Sequence, residues 1–211
     1  MSQTELLKPA EAAIVAGVSV RDVNRVIDEH ILPERITVRK RGRFIRSNSC
    51  FLISFYFQSA DDLTAEARRD AISKIHSRFE KVWTHFPKQE DQPLIVETRY
   101  LRIDFQPFLQ TSSERLAELQ KIKNAIVVDA EILGGMPVYA GTRIPVHNVA
   151  ASLREGATID EVKEAYPSLS GELIRLAPLY ADSHPIKGRP VLLKKKNSLI
   201  HEKTTLSSLN G

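Results

Sequence analysis

Apolar and polar positions recur along this chain at several spacings, and each spacing predicts a different element. Over Lys8–Ile31, Ala12, Ala13 and Val15 fall on one side of a helix opened by Pro9, and Gly17 supplies a turn. Ser19 then caps a second helix, with Val20, Val23, Val26 and Ile27 inward and Arg21, Asp22, Asn24 and Arg25 outward. This is the pattern of a compact helix-turn-helix. From Arg35 to Arg46 the spacing shortens to β-branched alternation around Arg41-Gly42, which predicts a hairpin or wing.

The aromatic run Ser49–Gln58 fits a strand, yet Leu52, Phe55, Tyr56 and Ser59 also satisfy helical spacing. Leu63–Phe86 reads as a helix with Ile72, Ile75, Phe79, Val82 and Trp83 on one stripe. Two strands, Leu94–Glu97 and Tyr100–Phe105, precede an amphipathic helix over Ser112–Lys123 whose seam is Leu116, Leu119 and Ile122. Beyond it, Gly134-Gly135 and Ala140-Gly141 frame a short apolar strand, Met136–Tyr139. Gly141 suits the positive φ of a tight turn, Thr142 reads as the cap of the next helix, and Pro145 fits that helix's first turn. Gly156 stops it, and Thr158 with Glu161 forms a capping box that starts a second helix. Tyr166-Pro167 ends that one, and Ser170 caps a third. After it, His184-Pro185 and Gly188-Arg189-Pro190 break regular structure and predict an extended tail.

Together these elements predict a mostly helical α+β chain: a helix-turn-helix and basic hairpin over 1–48, a middle region over 49–125 suited to dimerisation, a three-helix block with a short strand pair over 126–183, and a tail over 184–211. The 211 residues suffice for one core or two small ones. No apolar run approaches the ~20 residues that cross a bilayer, and Met1–Ala13 does not resemble a secretory signal. Cys50 is the sole cysteine, so no disulfide closes within the chain, which suits a reducing cytoplasm. Net charge is only +4, but its distribution is uneven. From His184 onward Lys187, Arg189, Lys194, Lys195, Lys196 and Lys203 face Glu202 alone, leaving the body near neutrality and marking the tail for an acidic partner.

A search for catalytic chemistry ends without a convergent set. The 6 histidines are scattered, and none forms an HExxH-type ligand pair, so neither a metal site nor a cofactor is expected. Gly134, Gly135 and Gly141 lack the GK[ST] ending of a phosphate loop. Asp129 and Glu131 lie close in sequence but have no partner residues for catalysis. The N-terminal unit makes the stronger case. A helix starting at Ser19 could enter a major groove, with Arg21, Asn24 and Arg25 at base edges and the basic loop Arg39, Arg41 and Arg43 on the phosphate backbone. The alternative is that this unit only packs or dimerises.

Between Ile126 and Asp182 the chain carries, in order, Val127-Val128-Asp129, Ile132–Gly135, Pro137-Val138, Gly141–Val146 and Tyr166–Leu169. By these residues the block closely resembles the family called domain of unknown function 433, found in VapB-type antitoxins. Gly17-Val18-Ser19 before the recognition helix and Leu32-Pro33 after it resemble the MerR-like subclass of helix-turn-helix. The rest of the chain resembles the long form of the antitoxin family, and this favours helix for Ser49–Gln58. The resemblance implies a PIN-domain ribonuclease toxin as partner and operator DNA as ligand. In the HPIKGRP segment of the tail, Arg189 matches the family's basic Gly-Arg-Pro ending, although Ile186 and Lys187 stand where family tails carry further arginine. A guanidinium forms paired hydrogen bonds with carboxylates, so Arg189 is expected among the toxin's metal-binding acids, with Lys187, Lys194, Lys195 and Lys196 alongside. The expectation is a dimeric, non-enzymatic antitoxin and autorepressor. Its rival is a stand-alone transcriptional regulator without a toxin.

Overall fold

The computed structural model describes residues 4–39, 41–79 and 94–185, apart from the side chains of Arg35 and Phe79. The N-terminal unit comprises β1 (Leu6–Leu7), α1 (Pro9–Ala16), α2 (Val20–Asp28), β2 (Thr37–Arg39) and β3 (Arg43–Arg46). Pro9 opens α1, where a missing N–H costs nothing, and Glu11 closes the helix start by accepting the Lys8 N–H at 2.8 Å. Gly17 ends it at φ +66°, a left-handed conformation that a side chain disfavours. Ser19 accepts the Asp22 N–H at 3.1 Å and Asp22 reciprocates, so the expected cap of α2 is a full capping box. Val23, Val26 and Ile27 are buried as the spacing requires, whereas Val20 is 43% exposed. At the first position of the helix its side chain lies on the solvent side of the turn, which corrects its inward assignment.

The hairpin forms with Thr37 opposite Ile45, Val38 opposite Phe44 and Arg39 opposite Arg43. It is not alone. β1 adds to the other edge of β3, pairing Leu6 with Arg46 and Leu7 with Ile45, so the sheet has the order β1-β3-β2. A two-residue strand carries too little alternation to be seen in the sequence.

The middle region contains α3 (Cys50–Gln58), α4 (Ala65–Phe79), β4 (Ile95–Glu97), β5 (Arg102–Asp104) and α5 (Gln106–Asn124). Cys50–Gln58 is a helix, buried at every position from Cys50 to Tyr56. Its run of apolar residues looked strand-like because a helix buried on all sides loses its polar stripe. α5 begins at Gln106 rather than Ser112, with Pro107 in the first turn and Asp104 accepting the Gln106 N–H at 2.8 Å. The expected stretch of α4 beyond Phe79 lies outside the described residues.

The C-terminal block pairs β6 (Ile126–Val127) with β7 (Val138–Tyr139) and continues through α6 (Val146–Arg154), α7 (Ile159–Ala165) and α8 (Gly171–Ser183). Gly141 adopts φ +73°, as the turn demands. Thr142 does not cap α6. Its hydroxyl donates to the Tyr139 carbonyl at 2.8 Å and accepts the Ile144 N–H at 3.1 Å, closing the turn, while Pro145 itself occupies the cap position rather than the first turn. Thr158 and Glu161 form the expected capping box, and Ser170 caps α8 through the Leu173 N–H at 3.3 Å.

One buried cluster runs through all of these parts, from Leu7 and Val23 through Phe51, Phe105 and Leu119 to Tyr139, Val149 and Ile174. α5 sits at its centre, packed against α1, α3 and α8, and α8 also lies on α1 and α6. Phe55 stacks obliquely on Phe105 with centroids 4.4 Å apart. The core therefore runs across the sequence boundaries at 48 and 125. Of the stripe residues offered for dimerisation, Ile72, Ile75, Leu116, Leu119 and Ile122 are buried inside the chain, and the side chains of Phe79, Val82 and Trp83 lie outside the described residues. The apolar side of α8 is buried too, through Ile174, Leu176 and Ala177.

Candidate nucleic-acid interface

The sequence nominated Ser19, Arg21, Asn24, Arg25, Arg39, Arg41 and Arg43 for DNA, and the fold sorts them by what each already holds. Arg21, in the first turn at the positive end of α2, is exposed and forms no ion pair among the described residues. Arg39 at the end of β2 and Arg41 in the hairpin loop are exposed and equally unpaired among the described residues. These cations are free to meet phosphate. Ser19 is exposed but its hydroxyl is engaged in the capping box, including 2.7 Å to the Asp22 carboxylate.

The remaining nominees are committed. Arg25 pairs with Glu29 one turn on at 3.3 Å and lies 5.9 Å from the centre of the Phe57 ring. The Glu29 hydrogen bond and charge raise its guanidinium above the ordinary value. Arg43 donates from Nη1 to both oxygens of Asp28, at 3.0 and 3.1 Å, which joins the first residue of β3 to the last residue of α2. Asn24 is half-buried and its Oδ1 is enclosed without a hydrogen-bond partner among the described residues, so it is less outward than its helical position suggests. Below the turn of the helix pair, the Arg115 guanidinium of α5 lies directly over Gly17, where a Cβ would sit 1.8 Å from Nη1.

A polar cluster that the sequence did not reveal joins the N-terminal unit to the C-terminal block. Lys123 of α5 reaches Glu5 at 2.8 Å and Glu11 at 2.7 Å, and His184 at the end of α8 lies 3.5 Å from the same Glu11 oxygen. Glu11 is only 4% exposed. Burial alone would raise the Glu5 carboxyl, but hydrogen bonds from Lys123 and Gln120 outweigh it and hold the group below its ordinary range. Burial likewise opposes the Lys123 charge, yet its bonds to Glu11 and Glu5 raise it. For His184 burial prevails and pushes the imidazole below its ordinary value, against the attraction of Glu11. The His184 ring stacks on Tyr180 with centroids 4.5 Å apart, and His147 donates from Nε2 to the His184 carbonyl at 2.8 Å. These residues are spread across the chain from Glu5 to His184, so no local motif could have grouped them.

The carboxylates considered for catalysis have a structural use: Asp129 accepts the Glu131 N–H at 2.9 Å and closes the turn after β6. Among the described residues no group of three or more His, Cys, Asp or Glu is placed to hold a metal ion, and no helix is long and apolar enough to cross a membrane. The nominated toxin contacts Lys187, Arg189, Lys194, Lys195 and Lys196 lie outside the described residues. The chain is described up to Pro185, just beyond the His184 cluster.

A family model described as a protein of unknown function, DUF433, matches residues 126–181. The chain is also 44% identical over 189 residues to the uncharacterized protein y4eO of Sinorhizobium fredii, an alignment covering 88% of this chain and 84% of the rhizobial protein. The chain belongs to that protein's family. In this chain the matched segment begins at β6 and ends within α8, the helix that packs on α1. The likeness to y4eO extends well beyond the domain, so it includes most of the N-terminal and middle regions as well. No solved structure matches.

Proposed function

We propose that this chain is the antitoxin of a VapBC-type toxin-antitoxin module: it binds operator DNA through its N-terminal unit and neutralises a PIN-domain ribonuclease through its tail. The observation that carries the DNA half is the set of unpaired arginines, Arg21 on α2 and Arg39 and Arg41 on the adjacent hairpin. A helix presenting its N-terminal residues beside a basic hairpin suits a major groove flanked by phosphate. The MerR-like likeness of the helix pair supports the same reading. The toxin half rests on the resemblance of the C-terminal block to antitoxin domains and on Arg189 within Gly188-Arg189-Pro190, the tail's sole arginine. Its planar fork pairs with carboxylates as no lysine does. The chain acts as an inhibitor rather than an enzyme in this account, as a cytoplasmic dimer on paired half-sites.

A second reading, a stand-alone regulator without a toxin, is favoured by one observation. The DUF433 domain shares its core with the N-terminal unit, so it could serve simply to complete that fold. Co-expression with the product of the neighbouring gene separates the two. Co-purification of a short acidic PIN-domain protein is the result expected of an antitoxin. Operator binding with no co-purifying nuclease would favour the regulator.

A further inference from the structure

The carboxylate of Asp28 stands where a DNA-binding surface should least tolerate one. It is the last residue of α2, at the negative end of the helix dipole, and it sits beside the hairpin whose free arginines are the candidate phosphate contacts. Near DNA an acidic side chain repels the backbone that Arg39 and Arg41 would approach. The contact it makes offsets these costs. Asp28 takes the Arg43 guanidinium on both carboxylate oxygens, at 3.0 and 3.1 Å, and Arg43 lies directly opposite Arg39 in the β2–β3 ladder. Like charges facing each other across an antiparallel pair are destabilising. With Arg43 drawn onto Asp28, Arg39 is left unopposed at the end of its strand, and the loop end of the hairpin is fixed to the end of the helix.

We propose that Asp28 is a positioning residue for nucleic-acid binding: its clasp on Arg43 sets the hairpin against α2, so that Arg21, Arg39 and Arg41 address one duplex together. This rests on the DNA-binding reading above and assigns Arg43 a different part from its neighbours. Arg43 is the hairpin's anchor, and the phosphate contacts are made by Arg39 and Arg41. Arg25 and Glu29 form a second pair, but it runs from α2 to the residue that ends the same helix and does not reach the hairpin.

The test uses the sign of the effect. Asp28→Asn removes a negative charge from a surface facing a polyanion, and simple electrostatics predicts tighter binding with a steeper salt dependence. The clasp predicts the reverse. On a duplex from the region upstream of the chain's own gene, the full-length Asp28→Asn protein should bind about 3- to 30-fold more weakly than the parent, as expected of coupled neighbours. The reciprocal swap Asp28→Arg with Arg43→Asp should recover most of that loss, and thermal melting should report the same fold in each variant. Amide exchange of Thr37–Arg46 in the free protein should be faster for Asp28→Asn and return towards the parent rate in the swap. Equal or tighter binding by Asp28→Asn would overturn the proposal and make Arg43 a direct phosphate contact. If the parent binds no duplex, the DNA reading itself fails and this role with it. The exchange rates still show separately whether the clasp holds the hairpin.

Discussion

Single side chains in this molecule are distinguished by what they already hold. Arg21, Arg39 and Arg41 have no ion partner among the described residues, so their removal should be felt mainly when DNA is bound. In gel-shift titrations on upstream DNA, Arg21→Ala should weaken binding by about 1–3 kcal/mol if it reads a base. Arg39→Ala and Arg41→Ala should each reduce the slope of log affinity against log salt by about 0.9. Arg25→Ala should lose less than Arg21→Ala, because Glu29 already shares its charge. Indifference of binding to all of them would remove α2 as the reader. The candidate interface was legible because exposed arginines at helical spacing and in a basic hairpin are local patterns. The ion pairs that divide them, Asp28 with Arg43 above all, join different elements and needed the fold. The buried cluster around Glu11 makes a separate prediction. His184 has a folded-state imidazole pKa below its ordinary 6.5, so the folded protein binds a proton there less readily than the unfolded chain. The stability this confers is present above pH 6.5 and declines as pH falls below 6.5 towards the folded value. Denaturant melts between pH 7.5 and 5.5 should show that decline, and His184→Asn should flatten it. The Glu5 carboxyl, held below its ordinary 4.5, is lost only in a lower window, so the two contributions separate on the pH axis. An unchanged profile in His184→Asn would contradict the assignment.

At the scale of elements, the helix starts were the most readable features, because a cap is a local bargain between a side chain and the first free N–H groups. Ser19, Thr158 and Ser170 all cap the helices they were expected to cap. Thr158→Ala should therefore cost about 1 kcal/mol of stability with no change in DNA affinity. What the sequence obscured was set by tertiary contact. α3 hides its helical period because neighbours cover every side, and β1 is too short to show any period. Thr142 lies at cap spacing but is claimed by the turn it closes. The turn between α1 and α2 depends on both kinds of cause. Gly17 is required locally by its positive φ and non-locally by the Arg115 side chain lying over it. Gly17→Ala should destabilise the chain by roughly 1–3 kcal/mol in chemical denaturation. A shift well below that range would show that Arg115 swings aside and that the backbone relaxes.

Across the whole molecule the buried cluster is continuous, and this determines how the parts depend on one another. α8 of the DUF433 domain packs on α1 and α5, with Arg175–Glu118 at 2.8 Å and Lys121–Glu172 at 2.5 Å along the α5–α8 seam. Domain boundaries placed from the pattern of local elements could not anticipate a core shared across them. Calorimetry should accordingly show one cooperative transition for the described body, whereas separate transitions for the N-terminal unit and the DUF433 domain would contradict a common core. Among the described residues the stripe positions offered for dimerisation, Ile72, Ile75, Leu116, Leu119 and Ile122, are buried within the chain, so a dimer does not form through them. The central claim, that this body carries a nuclease-inhibiting tail, is tested most directly by RNA cleavage. The purified neighbouring gene product is titrated with the full chain, with Arg189→Ala and with Lys195→Ala. Truncating one side of a desolvated charge pair costs about 2–5 kcal/mol. The account predicts near-stoichiometric inhibition by the parent and by Lys195→Ala, and restored cleavage with Arg189→Ala. Undiminished cleavage in the presence of excess parent chain would contradict it.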